Sequence, residues 1–174
     1  MQMAAGLDTG DMLLKGACPI TEQDTGQTIH DRLAEDGAKA LLTVLEQIEQ
    51  NMLTPESQDE SQSSYAQKLS KEEAVIDWNQ AAEQIDLQIR AFNPWPVAFT
   101  LLDGKPLRIF MSRVTDMESM DAPGTVIEES PEGICIATGK GVLAISRLQL
   151  PGKKAMDVRD FLNGQSLLGC KLPS

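Results

Sequence analysis

The sequence predicts an α+β chain of two unlike units: a residual α/β piece, a linker, and a small β-barrel. Three observations predict it. The apolar period is helical before residue 50 and becomes two after residue 96. Between them lies a polar stretch rich in Ser, Gln and acids. The charge is split as well. Residues 1–64 hold 3 basic and 12 acidic side chains, and residues 65–174 hold 12 basic and 14 acidic. Most of the net charge of −11 therefore sits in the first part, and two units with different tasks are expected. Composition places the boundaries at 1–52, a linker over 53–73, and 74–174.

Each element follows from its own residues. "MQMAA" is short and apolar and reads as the end of a strand. "GLDTG" is a glycine-bounded loop, and "DMLLKGACPI" reads as a second strand. From Asp24 to Gln50, Ile29, Leu33, Leu41, Leu45 and Ile48 recur at helical spacing. Asp24 with Gln27 makes an N-cap pair, and Gly37 is expected to divide or kink the helix. The first unit thus has no complete sheet of its own. In the linker, Ser70 and Glu73 have capping-box spacing. Asn79 then caps a helix through Phe92 that turns Ala82, Ile85, Ile89 and Phe92 inward. "NPWP" ends it, because a residue before proline is pushed out of the helical region.

Five strand-like runs follow: "VAFTLL", "PLRIFMSRV", "GTVIEES", "GICIAT" and "VLAISRLQL". Turns such as "DGK", "PEG" and "GKG" separate most of them. Five short strands at this spacing predict a closed barrel of OB type. "AMDVRDFLNGQ" reads as a final short helix with Gly164 past its end.

No apolar run is long enough to span a bilayer, and the N-terminus lacks signal-peptide features. A soluble, intracellular protein is expected. Cys18, Cys135 and Cys170 are odd in number and widely spaced, which argues against a disulfide framework and against zinc. His30 is the only histidine, so a mechanism needing two is excluded.

"GLDTGD", residues 6–11, is the most chemical stretch. An aspartic protease also carries an apolar residue before Asp-Thr-Gly, and two such aspartates share a proton. Here the loop occurs once, and Asp11 stands where Ser or Thr is needed. As a metal loop, Asp8 and Asp11 give two carboxylates, too few for calcium. A turn stabilised by aspartate side chains is the plainer alternative.

A resemblance covers essentially the whole chain. "MQMAAGLDTGDML", then "PI" and a "DTG" before the helix, resembles the catalytic domain of the methionyl-tRNA formyltransferases. "YAQKLSKEEAVIDW", "IRAFNPWPVAF", "APGTV", "ATGKGVLAI", "LQLPGKKAM" and "FLNG" resemble, in order, that family's linker and C-terminal domain. The resemblance implies a residual piece of a Rossmann-like formyltransferase domain followed by an OB-like tRNA-binding domain. It implies formyl transfer from 10-formyltetrahydrofolate, without metal, to the α-amino group of methionyl initiator tRNA in translation initiation. It also implies a cytoplasmic protein with no membrane partner, monomeric at full length.

The resemblance further implies site residues. Asp8 corresponds to the family's catalytic Asp, which orients a His and helps move protons. Gly6, Leu7, Asp8 and Gly10 would bind the folate donor, the glycines by letting it approach the backbone. Loop N–H groups are expected to hold the Asp8 carboxylate ionised. The family's catalytic Asn and His, and its basic tRNA loop, belong to a segment these 174 residues do not contain. A truncated chain, inactive alone, is therefore expected. His30, on the helix, is no substitute, and Ala4 stands where many relatives carry Asp. Lys68, Lys71, Arg90, Arg147, Lys153 and Lys154 are expected along tRNA, neutralising phosphate without reading sequence. Trp78, Phe92, Trp95 and Phe99 are expected mainly to anchor helix to barrel rather than stack on bases. The alternatives are a tRNA-binding module without catalytic power and a related transferase acting on a sugar nucleotide.

Overall fold

The computed structural model describes residues 1–173, and the chain divides into two compact units, Met1–Lys68 and Leu69–Ser174. The first is built around one helix, α1 (Gly26–Glu49), of 24 residues. Its cap differs from the expected pair. Thr25 is the N-cap and exchanges bonds with Thr28: the Thr25 hydroxyl accepts from the Thr28 N–H at 3.3 Å, and the Thr28 hydroxyl accepts from the Thr25 N–H at 2.9 Å. Asp24, one residue earlier, is freed to hold the chain leading into the helix. Gly37 does not divide α1. One glycine costs about 1 kcal/mol against alanine, and the strong helix formers around it, Ala38, Lys39, Ala40 and Leu41, offset that.

Two further expectations for this unit are corrected. "MQMAA" and "DMLLKGACPI" form no strand; they run as irregular chain, with one antiparallel pairing at Met12 and Glu56. A lone segment has no neighbour to complete its ladder, so strand-like composition alone is not enough. The apolar stripe of α1 is also largely uncovered. Leu33, Leu41, Leu45 and Ile48 are exposed, and Val44 is the one helix residue buried.

The second unit is a mixed α/β module. A 3-10 turn over Glu72–Ala74 is closed as expected by Ser70 and Glu73, each taking the other's backbone N–H. α2 (Ala82–Ala91) follows and buries Ala82, Ile85 and Ile89. Asn79 does not cap it. Ala81 is the N-cap, the Ala82 N–H donates to the Lys140 carbonyl at 2.9 Å, and Asn79 bonds Asp77 instead.

The strands are β1 (Phe99–Leu102), β2 (Lys105–Thr115), β3 (Val126–Ser130), β4 (Gly133–Ala137), β5 (Val142–Gln149) and β6 (Met156–Asp157). They form one antiparallel sheet in the order β1-β2-β5-β4-β3, with β6 on β5. The sheet is open: among the described residues β1 and β3 do not pair, so the expected barrel is not closed. Each edge is partly occupied by irregular chain instead, Val75 on Phe99 and Lys171 on Thr125. Such cover blunts an edge without ring closure. α3 (Val158–Leu162) completes the unit.

The core lies between α2, α3 and the inner sheet face. Ile76, Trp78, Ile85, Ile89, Leu107 and Ile136 are among its fully buried members. The Trp78 indole donates to the Thr100 hydroxyl at 3.3 Å, so its one polar atom is satisfied inside. Gly139, in "ATGKG", has a close-approach role. Its N–H donates to the carbonyls of Trp78 and Gln80, both at 2.9 Å, and a Cβ there would overlap the Asn79 carbonyl. No helix among the described residues is long and apolar enough to cross a membrane.

Candidate functional site

Asp8 stands at φ 53, in the left-handed region. Asp tolerates that region better than most residues. The loop is closed by the Gln2 N–H donating to the Asp11 carbonyl at 2.8 Å. Gly10 is buried against Gln2, and a Cβ would overlap the Gln2 carbonyl. That contact within the chain requires the glycine.

The loop is gripped by residues 56–58, which composition assigns to the linker. Met12 and Glu56 exchange backbone bonds at 2.8 and 2.9 Å. Lys15 pairs with Glu56 at 2.7 Å. The Ser57 hydroxyl donates to Asp11 at 3.0 Å. Gln58 donates from one amide nitrogen to the carbonyls of Asp8, at 2.6 Å, and Gly10, at 2.7 Å. The Asp8 carboxylate makes no hydrogen bond among the described residues, so the expected cradle of loop N–H groups is not there. Gln58 fixes the backbone and leaves the carboxylate exposed.

Beside the loop is a groove of about 700 Å³. Leu7, Asp8 and Thr9 line one part of it; Gln58, Glu60 and Tyr65 line another. Of the expected donor-binding residues, Leu7 and Asp8 face this groove, while Gly6 and Gly10 do not line it. The groove carries four carboxylates, from Asp8, Glu56, Asp59 and Glu60, which suits N–H donors better than anions. Hydrogen bonds from Ser61 and Gln62 hold the Asp59 carboxyl below its ordinary range.

Asp24 anchors the approach to α1. Its carboxylate accepts from the Thr21 N–H at 2.7 Å, the Thr28 hydroxyl at 2.9 Å and Arg32 Nη2 at 2.7 Å. The Thr21 backbone bond, then Arg32 and Thr28, hold its carboxyl far below the usual range. His30 is exposed on α1 beside Asp31.

The expected tRNA-side cations are scattered. Lys68 and Lys71 are exposed, as are Lys153 and Lys154 on the turn after β5. Arg147 is half exposed, 3.9 Å from Asp157. Arg90 is different: its side chain is 14% exposed and donates to Asp86 at 2.8 Å, while Asp86 also accepts from Ser112 on β2. Arg90 therefore braces Asp86 on its own helix, and Asp86 ties α2 to the sheet through Ser112. Sequence reasoning missed Gln58, Ser57 and Arg108. The two linker residues carry no periodic or motif signal, and Arg108 reads as one outward strand residue among several.

Comparison with known proteins fits both units. Residues 68–166 match the family described as "Formyl transferase, C-terminal domain", and residues 1–45 match "Formyl transferase". The two matches lie one after the other along the chain and define a two-module family member. It belongs to the formyl transferase family.

Among solved structures, HypX from Aquifex aeolicus in complex with tetrahydrofolic acid is 23% identical with a TM-score of 0.68, over 91% of this chain and 28% of that one. A HypX variant from the same organism gives 22% and 0.69, over 93% of this chain and 29% of that one. WlaRD, a sugar 3N-formyl transferase studied with dTDP and 5-N-formyl-THF, is 21% identical with a TM-score of 0.63, over 87% of this chain and 53% of that one. At these identities the likeness is one of fold. The chain spans under a third of HypX and about half of WlaRD.

Proposed function

We propose that this chain serves formyl transfer from a formyltetrahydrofolate to the α-amino group of methionyl initiator tRNA, with Asp8 as the acid–base and orienting carboxylate. The carrying observation is the Gln58 grip, which fixes the backbone of the Asp8 loop beside an open, acidic groove that Asp8 lines. Tetrahydrofolate and formyl-tetrahydrofolate in the HypX and WlaRD structures support a folate-type donor.

In the reaction, the amine nitrogen attacks the formyl carbon and a tetrahedral oxyanion forms. The C–N bond to the folate nitrogen then breaks, and one proton passes from the amine to that leaving nitrogen. The oxyanion needs donors aimed at it, and the proton needs a relay. Asp8 suits the relay end. The reaction also needs groups for the oxyanion and for the other end of the relay. Asp8 and Glu60 suit the N–H groups of a reduced pterin and of the incoming amine. The uncovered stripe of α1 fits a helix that a larger catalytic domain packs over.

The initiator-tRNA acceptor rests on the run of motifs from "YAQKLSKEEAVIDW" to "LQLPGKKAM". WlaRD makes a nucleotide-linked amino sugar the competing acceptor. Equilibrium binding of the purified chain to initiator tRNA and to a dTDP-linked amino sugar tests the two. Saturable, salt-sensitive tRNA binding without sugar-nucleotide binding supports the proposal; the reverse overturns it.

A further inference from the structure

The outer face of the sheet in the second unit carries a groove of about 500 Å³. Lys71, Trp95, Phe99, Arg108, Phe110 and Gln149 line it, together with Val97 and three prolines. Trp95 is 54% exposed, so it does not anchor the sheet as its motif suggests; Trp78 does that, fully buried. The register sets Phe99 of β1 and Gln149 of β5 on either side of Arg108. Arg108 Nη1 donates to Gln149 Oε1 at 3.5 Å, and Gln149 Nε2 donates to the Lys153 carbonyl at 2.7 Å. That chain brings the Lys153–Lys154 turn next to the groove.

The Trp95 loop is fixed in place. Asn93 donates to the Phe110 carbonyl at 2.8 Å, and the Val97 N–H donates to the Phe92 carbonyl at 3.0 Å. Val97 lies at φ 71, a strained value for a β-branched side chain, and strain of this kind collects at ligand sites. Among the described residues neither Lys71 nor Arg108 makes an ion pair, and no carboxylate lines the groove.

We propose that this groove seats one unstacked nucleotide of a single RNA strand, its base on Trp95 and its phosphates toward Arg108 and Lys71. An apolar peptide would leave both cations without counter-charge. A duplex would offer no free ring face to the indole, whereas a single strand supplies both ring and phosphate. The inference deepens the tRNA reading above and rests on it for the identity of the strand.

The test is anisotropy of labelled RNA titrated with the whole chain, using a single-stranded hexamer and an initiator tRNA. W95L should weaken binding about tenfold or more, since an aromatic stack contributes that much, while W95F should retain most of it. R108E should weaken binding and reduce the salt slope by about one or more. Both side chains are exposed, and unchanged melting of the variants confirms their fold. If tRNA binds and neither variant alters its affinity, the groove proposal is overturned while the tRNA reading stands. If the hexamer binds through Trp95 and Arg108 but tRNA does not, the groove stands and the tRNA reading falls. Binding of neither overturns both.

Discussion

Gln58 holds Asp8 by its backbone: the side-chain amide donates to the Asp8 carbonyl at 2.6 Å across fifty residues of sequence. The same nitrogen reaches the Gly10 carbonyl at 2.7 Å, so one side chain sets the conformation of the acid-bearing loop. This is a positioning role. Gln58→Leu removes two hydrogen bonds of about 1 kcal/mol each. Hydrogen exchange at residues 6–12 should speed up markedly in Q58L, with α1 unaffected. Unchanged exchange there would show that the loop holds itself.

Asp8→Asn keeps the shape of the side chain and its tolerance of the left-handed region while removing the charge. In a form of the protein that supports turnover, it should lower kcat by about a hundredfold, within the range of acid–base contributions. Affinity for tRNA should stay within about twofold. Wild-type turnover in D8N would remove Asp8 from the chemistry.

Asp24 is expected to govern the acid limit of α1. Its folded pKa is depressed by Thr21, Arg32 and Thr28, while the unfolded value is about 3.9. A depressed carboxyl stabilises the fold above its unfolded pKa, and that contribution is lost as pH falls toward the folded value. Helix ellipticity followed from pH 6 to about pH 2 should therefore fall in the wild type. D24N should start from a lower melting temperature and show a flatter profile over that window. A parallel profile in D24N would mean that other carboxylates set the limit.

Gly139→Ala places a methyl group into the Asn79 carbonyl and disturbs the two bonds its N–H donates. Backbone cannot yield as a flexible side chain can, so the second unit should lose about 2 kcal/mol or more. Denaturant unfolding followed by the emission of buried Trp78 measures this. A loss below about 0.5 kcal/mol would mean the turn relaxes freely.

Much of the fold was legible because its signals are local. The period of two named all five long strands, and Ala82, Ile85 and Ile89 named the buried face of α2. The Ser70–Glu73 box was readable because capping spans only three residues. Local signals also misled. "DMLLKGACPI" has strand composition without a strand partner, and Leu33, Leu41 and Leu45 have helical spacing without a covering layer. At the candidate site, Asp8 stood out by its motif, but Gln58 did not, because a side chain gripping a loop from fifty residues away leaves no pattern in either segment.

The sequence by itself therefore determined α1, α2 and the five longer strands, since periodicity and turn chemistry act within a few residues. Tertiary structure alone decided the strand order with β5 between β2 and β4, the open sheet edges, the bond from Ser112 on β2 to Asp86 on α2 and the exposure of Trp95 beside Arg108. The physical reason is that pairing, burial and charge neutralisation depend on which distant segment arrives opposite, and that is settled only when the chain closes on itself.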